Sequence, residues 1–322
     1  VASHLNIPFY TFDFEDEYKK RVVEYMIDGY KKGITPNPDV MCNKTVKFDL
    51  FLKEAKRMGF DLIATGHYVQ LRTKKNKEQR TKDKKERSSM SYVLCSASDT
   101  NKDQTYFLWT LTQEQLKHCL FPIGDYKKPE VRNIARKAGL PTAEKKDSQG
   151  ICFLGKVSLS KFLKKYIKPK KGVIKDEKGN ELGTHNGAWY YTIGQRHGFK
   201  IKIKGTQTKP HYIVSKDVKT NTIVVAEGEK NPAFSKKELT ITNVNFISPQ
   251  HPDILKDIRM CKMKVLARVR YRQPLQPAKL LTLNLKTYKL TFEHAQKCIA
   301  PGQSAVFYSK KGELLGGAII KE

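Results

Sequence analysis

The sequence predicts an α/β protein in which a parallel-sheet domain precedes a small central domain and a C-terminal β-barrel. Strand-type and helix-type segments alternate over the first ~160 residues, which is typical of a parallel sheet. Beyond about residue 165, short strands and Gly-containing turns replace them. We place the three units at 1–160, 161–235 and 236–322 of the 322 residues, and a hydrophobic content of 39% excludes a disordered chain.

The first predicted elements are a strand and a helix. A short aromatic run, Phe9–Phe14, is interpreted as a strand. From Glu15 onward apolar residues recur every four positions, which predicts a helix that stops near Gly33. Two prolines then hold Thr35–Asp39 extended.

A second helix and a buried strand follow. Asn43–Met58 has a helical apolar pattern, and Leu62–Thr65 is a short apolar run of the buried-strand type. Gly66 and His67 come directly after this strand. Parallel sheets bind ligands at the carboxyl ends of their strands, so this is a candidate ligand position. Further helices are predicted over Thr112–His118 and Lys128–Ala138.

The charged insert at 72–89 carries nine basic and three acidic residues. We interpret it as a solvated loop, with an RNA-touching arm as the alternative.

Further on, Met263, Val265, Ala267 and Val269 alternate with polar positions, which predicts a strand whose outer face carries arginines. Leu281, Leu283 and Leu285 are predicted to pair with the strand that follows Lys286-Thr287. Arg268 and Arg272 are interpreted as solvated barrel residues.

The composition limits the function classes. Lys plus Arg total 61 against 32 Asp plus Glu, a net charge of +29, which suits a phosphate backbone; solvated lysines of a lysine-rich proteome are the alternative source of the excess. No apolar run approaches the ~20 residues of a membrane span, and no signal peptide is visible. We expect a cytoplasmic protein, or alternatively a mitochondrial one, with no membrane partner.

Two of the six cysteines are candidate nucleophiles. Cys42 precedes the second predicted helix, whose amides and dipole would stabilise a thiolate, and Asp39 is close enough to exchange protons. Cys152 lies in a polar, Gly-containing segment, Asp147–Gly155, that favours an exposed turn. A buried small hydrophobe is the alternative for each. No C-x-x-C pair occurs, so no metal site is predicted, and the remaining cysteines are interpreted as structural.

Several segments together resemble one family, the MnmA-type tRNA-specific 2-thiouridylases. The matching segments follow the family order along nearly the whole chain: Thr35–Asn43 with Lys47-Phe48, Ala64–Tyr68, Lys102–Leu108, Asp147–Gly155, Tyr191–Arg196, Arg270–Gln273 and Pro301–Gln303. The resemblance implies an adenine-nucleotide alpha-hydrolase-like domain of the PP-loop type. It also implies ATP-dependent 2-thiolation of the wobble uridine 34, by adenylation of the C2 oxygen and transfer of persulfide sulfur.

The resemblance assigns roles to individual residues. Cys152 would carry the persulfide, Cys42 would be its partner in a transient disulfide, and Asp39 the acid/base group. Gly66 would contact ATP, with Mg²⁺ as an optional companion of the nucleotide. Segments that would contact tRNA are Asn37-Pro38-Asp39, His67, Lys102-Asp103-Gln104, Arg270-Tyr271 and Gln303. For His67, a core histidine is the alternative.

The resemblance further implies partners. The substrates would be tRNAs with Lys, Glu and Gln type anticodons, and a cysteine desulfurase or sulfur-relay protein would supply the sulfur. The family opens with a strand and a Ser-Gly-Gly-x-Asp-Ser loop around the ATP pyrophosphate, whereas this sequence starts at Val1-Ala2-Ser3 and shows no such loop. We therefore expect a truncated chain that lacks the first βα unit and has doubtful activity.

Two alternatives stay open. One is a non-catalytic tRNA-binding remnant. A start codon at Val1 would favour the remnant, whereas an in-frame Ser-Gly-Gly-x-Asp-Ser encoded upstream of Val1 would favour the enzyme. The other is an adenylating enzyme of the same superfamily that acts on a small molecule. The basic barrel and the Arg270-Tyr271 segment speak against the second.

Overall fold

A computed structural model describes residues 1–75, 90–145, 158–201, 209–228, 231–247, 262–284 and 286–321. Most of the charged insert, Cys261 and the Cys152 segment lie outside these ranges. Within them, no helix is both long enough and apolar enough to cross a membrane.

The N-terminal helical layer confirms the helix predicted from Glu15. A short helix α1 (Ala2–Leu5) is followed by α2 (Glu15–Tyr18), a π-helical turn and α3 (Glu24–Lys31). Gly33 ends the helix with a φ of 78°. The predicted inward residues are buried and form one apolar cluster: Tyr18, Val22, Met26 and Tyr30.

The strand predicted at Phe9–Phe14 is wrong. These residues have no regular secondary structure, and Phe9 and Tyr10 are 79% and 57% exposed. A strand needs a hydrogen-bonded neighbour, and no strand in the described ranges pairs with this run.

The second helix starts earlier than predicted. It consists of α4 (Pro38–Cys42), a π-helical stretch over Asn43–Leu50 and α5 (Phe51–Arg57). Pro38 occupies the first helical position, and Asn37 Oδ1 accepts the Val40 N–H at 3.3 Å as an N-cap. Cys42 therefore lies in the second turn, so the predicted stabilisation at the helix N-terminus does not apply.

The parallel pairing predicted for the first domain is confirmed in a short form. Strand β1 (Ile63–Ala64) pairs with a later strand over Cys119–Leu120 in parallel. Between them lie an antiparallel hairpin, β2 (Gln70–Lys75) with β3 (Met90–Cys95), and a capped helix, α6 (Gln113–Leu116). The Cys119–Leu120 strand is β4, and α7 (Lys128–Lys137) follows it. The start of the charged insert is thus a strand and not a loop.

The central unit is a five-stranded sheet. A helix, α8 (Leu159–Lys164), leads into it. Its strands, in chain order, are β5 (Gly172–Lys175), β6 (Glu181–His185), β7 (Lys200–Ile201), β8 (His211–Asp217) and β9 (Thr222–Glu227). The spatial order is β7-β6-β5-β9-β8, and only β5 and β9 pair in parallel among these strands.

The C-terminal barrel is confirmed as a closed six-stranded structure. Its strands, in chain order, are β10 (Ser235–Phe246), β11 (Lys262–Arg268), β12 (Gln276–Asn284), β13 (Thr287–Lys297), β14 (Ser304–Tyr308) and β15 (Leu314–Ile320). The alternation predicted for β11 holds, because Met263, Val265 and Ala267 are at most 5% exposed and lie in the barrel core.

Two details of the barrel differ from the prediction. Leu280, not Leu281, pairs with Leu290 and faces inward, while Leu281 and Leu283 are 38% and 51% exposed. A slip of one residue reverses the two faces of a strand, and three neighbouring leucines do not define which face is buried. Arg268, predicted as solvated, is only 5% exposed.

Candidate functional site

A cavity of about 270 Å³ lies where α4, the segment after β3 and the barrel meet. Its lining residues are Pro36, Asn37, Pro38, Asp39, Tyr106, Phe107, Arg270, Tyr271 and Gln303. Six residues predicted as site residues are among them: Asn37, Pro38, Asp39, Arg270, Tyr271 and Gln303. The fold thus joins three stretches that are remote in sequence. A second cavity, between the β2–β3 hairpin and the barrel, contains none of the predicted site residues.

The barrel holds the Pro-rich loop that forms one wall. Gln303 Nε2 donates to the Thr35 carbonyl oxygen at 2.9 Å, and the Thr35 N–H donates to the Pro301 carbonyl oxygen at 2.8 Å. Gly302 has a φ of 89°, and a Cβ there would lie 2.9 Å from the Thr35 oxygen. Because this approach requires glycine, the Pro301–Gln303 segment fits the loop closely and positions the start of α4. The tRNA contact predicted for Gln303 stays a prediction.

Asp39 and Asn37 face the cavity from the first turn of α4. Asn37 is 8% exposed, and its side-chain oxygen caps the helix, so it fixes the position of the turn. Asp39 is half-buried on the same turn and lines the cavity. A carboxylate in this position can exchange a proton with a bound molecule.

Aromatic rings form another part of the cavity lining. The Tyr271 ring centroid is 4.6 Å from that of Phe107 and 6.3 Å from that of Tyr106. Tyr106 is 1% exposed, and its hydroxyl donates to the Ser304 carbonyl oxygen at 3.0 Å. Tyr106 and Phe107 received no role from the sequence, although they lie within the Lys102–Leu108 segment. The only feature of the sequence that pointed to them was their place shortly after Lys102-Asp103-Gln104, the segment predicted to contact RNA.

Arg270 connects the cavity to the central unit. Its Nη2 donates to the Ile193 carbonyl oxygen at 3.2 Å. Gly194 has a φ of 84°, and a Cβ there would come within 3.2 Å of the same nitrogen. A guanidinium has five N–H donors, so this contact leaves Arg270 able to bind a phosphate as well.

The Lys102-Asp103-Gln104 segment divides into three different environments. Asp103 is 5% exposed, and its Oδ2 accepts Arg268 Nη2 at 2.6 Å. Gln104 Oε1 accepts the Tyr68 N–H at 2.9 Å. Lys102 is half-exposed at the surface. The structure gives Asp103 an internal role, and its burial speaks against the tRNA contact predicted for it.

His67 lies in an apolar environment. It is 8% exposed, its ring centroid is 5.6 Å from that of Phe48, and its Nδ1 lies 2.9 Å from Thr65 Oγ1. Burial, with a smaller effect of Lys47, lowers the pKa of His67 to about 3. This favours the core alternative, and the predicted tRNA contact is not supported by the burial. Gly66 is exposed, and no atom of the described residues lies within 4 Å of a Cβ added there, so a ligand can approach its backbone.

Cys42 is completely buried. It is 0% exposed and belongs to an apolar cluster with Val22, Val46 and Phe162. It does not line the cavity, although it lies one helical turn from Asp39. Cys152 is outside the described residues, so the prediction that the two cysteines face each other across one cleft stays a prediction.

The other described cysteines are Cys95, Cys119 and Cys298. Burial raises the pKa of the Cys119 thiol to about 12, which makes it a poor nucleophile. No group of three His, Cys, Asp or Glu side chains in the described part of the chain is arranged to hold a metal ion.

Three family models match the chain in succession. They are the tRNA methyl transferase HUP domain over residues 1–156, the tRNA methyl transferase PRC-barrel domain over 160–227 and the aminomethyltransferase beta-barrel domain over 236–320. This order of domains confirms the predicted fold class.

Bacterial proteins named tRNA-specific 2-thiouridylase MnmA are similar over nearly the whole chain. The protein from Lacticaseibacillus paracasei is 43% identical over 99% of this chain and 79% of its own length. The one from Flavobacterium johnsoniae is 40% identical over 99% of this chain and 85% of its own length. MnmA 1 from Geobacillus kaustophilus is 42% identical over 100% and 81%, respectively.

Proposed function

The chain belongs to the family of MnmA-type tRNA-specific 2-thiouridylases, and we propose that it transfers sulfur to C2 of a tRNA uridine. The observation that carries the proposal is the composite cavity. Its walls combine a carboxylate, a capped helix turn, an aromatic surface and an arginine from three remote segments. Following the resemblance, we propose uridine 34 as the target, in tRNAs with Lys, Glu and Gln type anticodons.

The size and walls of the cavity suit one unstacked base. A cavity volume of about 270 Å³ is large enough for one pyrimidine base and too small for a base-paired duplex. A wobble base belongs to a single-stranded loop, so its extrusion costs less than that of a paired base. Phe107 and Tyr271 offer faces on which a base can stack, and Arg270 lies beside them for a phosphate.

Thiolation at C2 needs an activated oxygen. ATP, when bound, would supply AMP as the leaving group in place of the poor leaving group of a carbonyl. Gly66, exposed at the end of β1, fits a nucleotide contact because none of the described residues occupies the space beside its Cα. We propose that Asp39 takes the N3 proton of the base during activation and returns it when the thione forms.

Sulfur transfer uses the two cysteines in turn. We propose that Cys152 receives a persulfide from a cysteine desulfurase or relay protein and attacks C2 with the terminal sulfur, so that the activated oxygen leaves. The Cys42 thiolate then attacks Cys152 Sγ, and the sulfur–sulfur bond of the persulfide breaks. The terminal sulfur remains on C2, and a Cys42–Cys152 disulfide forms, which a thiol reductant must reduce.

Helix α8 supports this pairing. Its residues Phe162 and Leu163 pack in the same cluster as Cys42. Cys152 is six residues before Ser158, the first described residue after it. The Cα atoms of Cys152 and Ser158 can therefore be at most roughly 20 Å apart. Because Cys42 is 0% exposed, we propose that some of the apolar side chains packed around it move before it attacks.

The test is a thiolation assay with tRNA transcript, ATP and a desulfurase, read as 2-thiouridine by mass spectrometry of digested nucleosides. Cys42→Ala and Cys152→Ala should abolish product while the tRNA dissociation constant stays within about twofold. Cys95→Ala, in the β2–β3 hairpin, is the matched control and should retain activity. Product formed by Cys152→Ala, or loss of tRNA binding in both variants, would contradict the proposed roles.

A further inference from the structure

Asn43 connects the helix that carries Asp39 to the aromatic part of the cavity lining. Helix α4 continues through Asn43 with helical backbone angles, so Asn43 lies one helical turn after Asp39. The side-chain Nδ2 of Asn43 donates to the Phe107 carbonyl oxygen at 3.2 Å. Asn43 does not line the cavity itself. It therefore joins the carboxylate and the stacking ring from behind.

The side-chain amide of Asn43 is only half used. The residue is 2% exposed, and within the described part of the chain no group donates a hydrogen bond to its Oδ1. The amide cannot be reversed, because Oδ1 would then face the Phe107 carbonyl oxygen without a proton between them. An unpaired buried acceptor costs free energy of the same order as the Nδ2 hydrogen bond contributes. Asn43 thus adds little net stability, and its effect is to fix geometry.

The carbonyl group that Asn43 holds belongs to a residue whose ring lines the cavity. Phe107 is half-buried, and its ring centroid is 4.6 Å from that of Tyr271. The preceding residue, Tyr106, is already anchored in the barrel through its hydroxyl, which donates to the Ser304 carbonyl oxygen. The hydrogen bond from Asn43 fixes the backbone from which the Phe107 ring projects. The ring is thereby held relative to α4 and not only relative to the barrel.

We propose that Asn43 is a positioning residue that sets the separation between the Asp39 carboxylate and the Phe107 ring. A base stacked on Phe107 then presents its N3–H edge to Asp39. This inference rests on the proposed function and adds to it a residue outside the cavity lining. A misplacement of about 1 Å can lower a reaction rate about 100-fold, so one hydrogen bond at this place is enough to affect catalysis.

The test compares Asn43→Leu with Asn245→Leu, because leucine has the same branched skeleton as asparagine but no N–H donor. Asn245 is the matched control, since its Nδ2 donates to the Trp109 and Leu111 carbonyl oxygens and it does not line the cavity. Asn43→Leu should lower the thiolation rate at saturating tRNA by about 10- to 100-fold. Its tRNA dissociation constant should stay within about twofold, because phosphates dominate affinity. Its melting temperature should stay within about 3 °C of that of the wild type. Asn245→Leu should melt earlier but keep the wild-type rate.

A second background shows whether Asn43 acts through Phe107. Phe107→Ala removes the ring and should itself slow thiolation, because the base loses a stacking surface. In this background, Asn43→Leu should change the rate by less than about twofold, since no ring is left to position. Asn43→Ala introduces no larger side chain and should slow thiolation as Asn43→Leu does, so the result does not depend on whether leucine fits.

The outcomes separate this inference from the proposed function. If the wild type thiolates tRNA and both Asn43 variants keep its rate, the positioning role is wrong and the proposed function stands. Rate losses that multiply with the loss in Phe107→Ala would also overturn the role, because Asn43 would then act elsewhere. A slower rate that accompanies an earlier melting transition in both Asn43 variants would make the residue structural. A wild type that forms no 2-thiouridine overturns the proposed function and, with it, this inference.

Discussion

Removal of the Asp103 carboxylate should destabilise the contact between the N-terminal domain and the barrel far more than removal of a surface charge. Asp103 Oδ2 accepts Arg268 Nη2 at 2.6 Å, and both side chains are only 6% exposed. The same guanidinium nitrogen donates to Thr105 Oγ1 at 2.9 Å, and Nε donates to the Tyr308 hydroxyl at 3.0 Å. Asp103→Ala leaves the cation buried without its carboxylate.

The expected loss is about 3–5 kcal/mol, the cost of leaving one ion of a buried pair uncompensated. Arg268→Met should cost a similar amount because it leaves the Asp103 carboxylate buried. The double variant loses both ions together and should cost only about 2 kcal/mol, mainly the hydrogen bonds to Thr105 and Tyr308. The coupling energy in this double-mutant cycle should therefore be roughly 4–8 kcal/mol.

Trp109 provides the readout. It is 4% exposed and its Nε1 donates to Ser304 Oγ at 3.0 Å, so its fluorescence reports separation of the two domains. The chain has two tryptophans, and a Trp189→Phe background isolates the signal during urea unfolding. The matched control is Asp49→Ala, which removes a more exposed pair with Arg21 and should cost less than about 1 kcal/mol.

If the double variant lost as much stability as the two single variants together, the coupling inferred from the structure would be refuted. A cost near that of the Asp49 control would mean that water solvates the pair in solution. Conversely, unchanged stability with weakened tRNA binding would restore the RNA contact predicted from the sequence for Asp103.

Three further outcomes are expected. Because the pKa of His67 is depressed to about 3 in the folded protein, His67 binds a proton between pH 6.5 and 3 only in the unfolded chain. The free energy of unfolding should therefore fall by about 2 kcal/mol between pH 7.5 and 5. Urea unfolding at several pH values should show this loss in the wild type and not in His67→Gln. Gln303→Ala should cost roughly 1 kcal/mol and lower the thiolation rate, since the loop at Thr35 loses its amide contact. Arg270→Ala should reduce the salt slope of tRNA binding by about one.

Periodicity predicted the elements in which one face is buried against one core. The helix from Glu15 and the inward residues of β11 follow from spacings of four and of two, and both are confirmed. Such patterns show only the spacing at which buried residues recur along the chain. They fail where neighbouring positions are equally apolar, as at Leu280 and Leu281, where hydrogen bonding to β13 selects the inward residue.

The sequence patterns did not predict interactions between segments that are remote along the chain. Arg268 is on the outer face of the barrel, as its position in the alternation predicts, but Asp103 and Tyr308 cover that face and bury it. For Arg268 the remote partner decides the environment, and a single sequence does not identify that partner. The error at Cys42 is of another kind, because Asn37 followed by Pro38 is a local signal for the start of a helix that the prediction did not use.

The candidate site is a property of the assembled chain and not of any one domain. Thr35 joins the N-terminal part to the barrel through Pro301 and to the central unit through Thr192 Oγ1, at 2.8 and 3.3 Å. Arg270 joins the barrel to the central unit at Ile193. Separation of any one unit removes a wall or a support of the cavity. An RNA that contacts walls from two domains therefore stabilises their association by the free energy of its binding, and weakened domain contacts should weaken RNA affinity in turn.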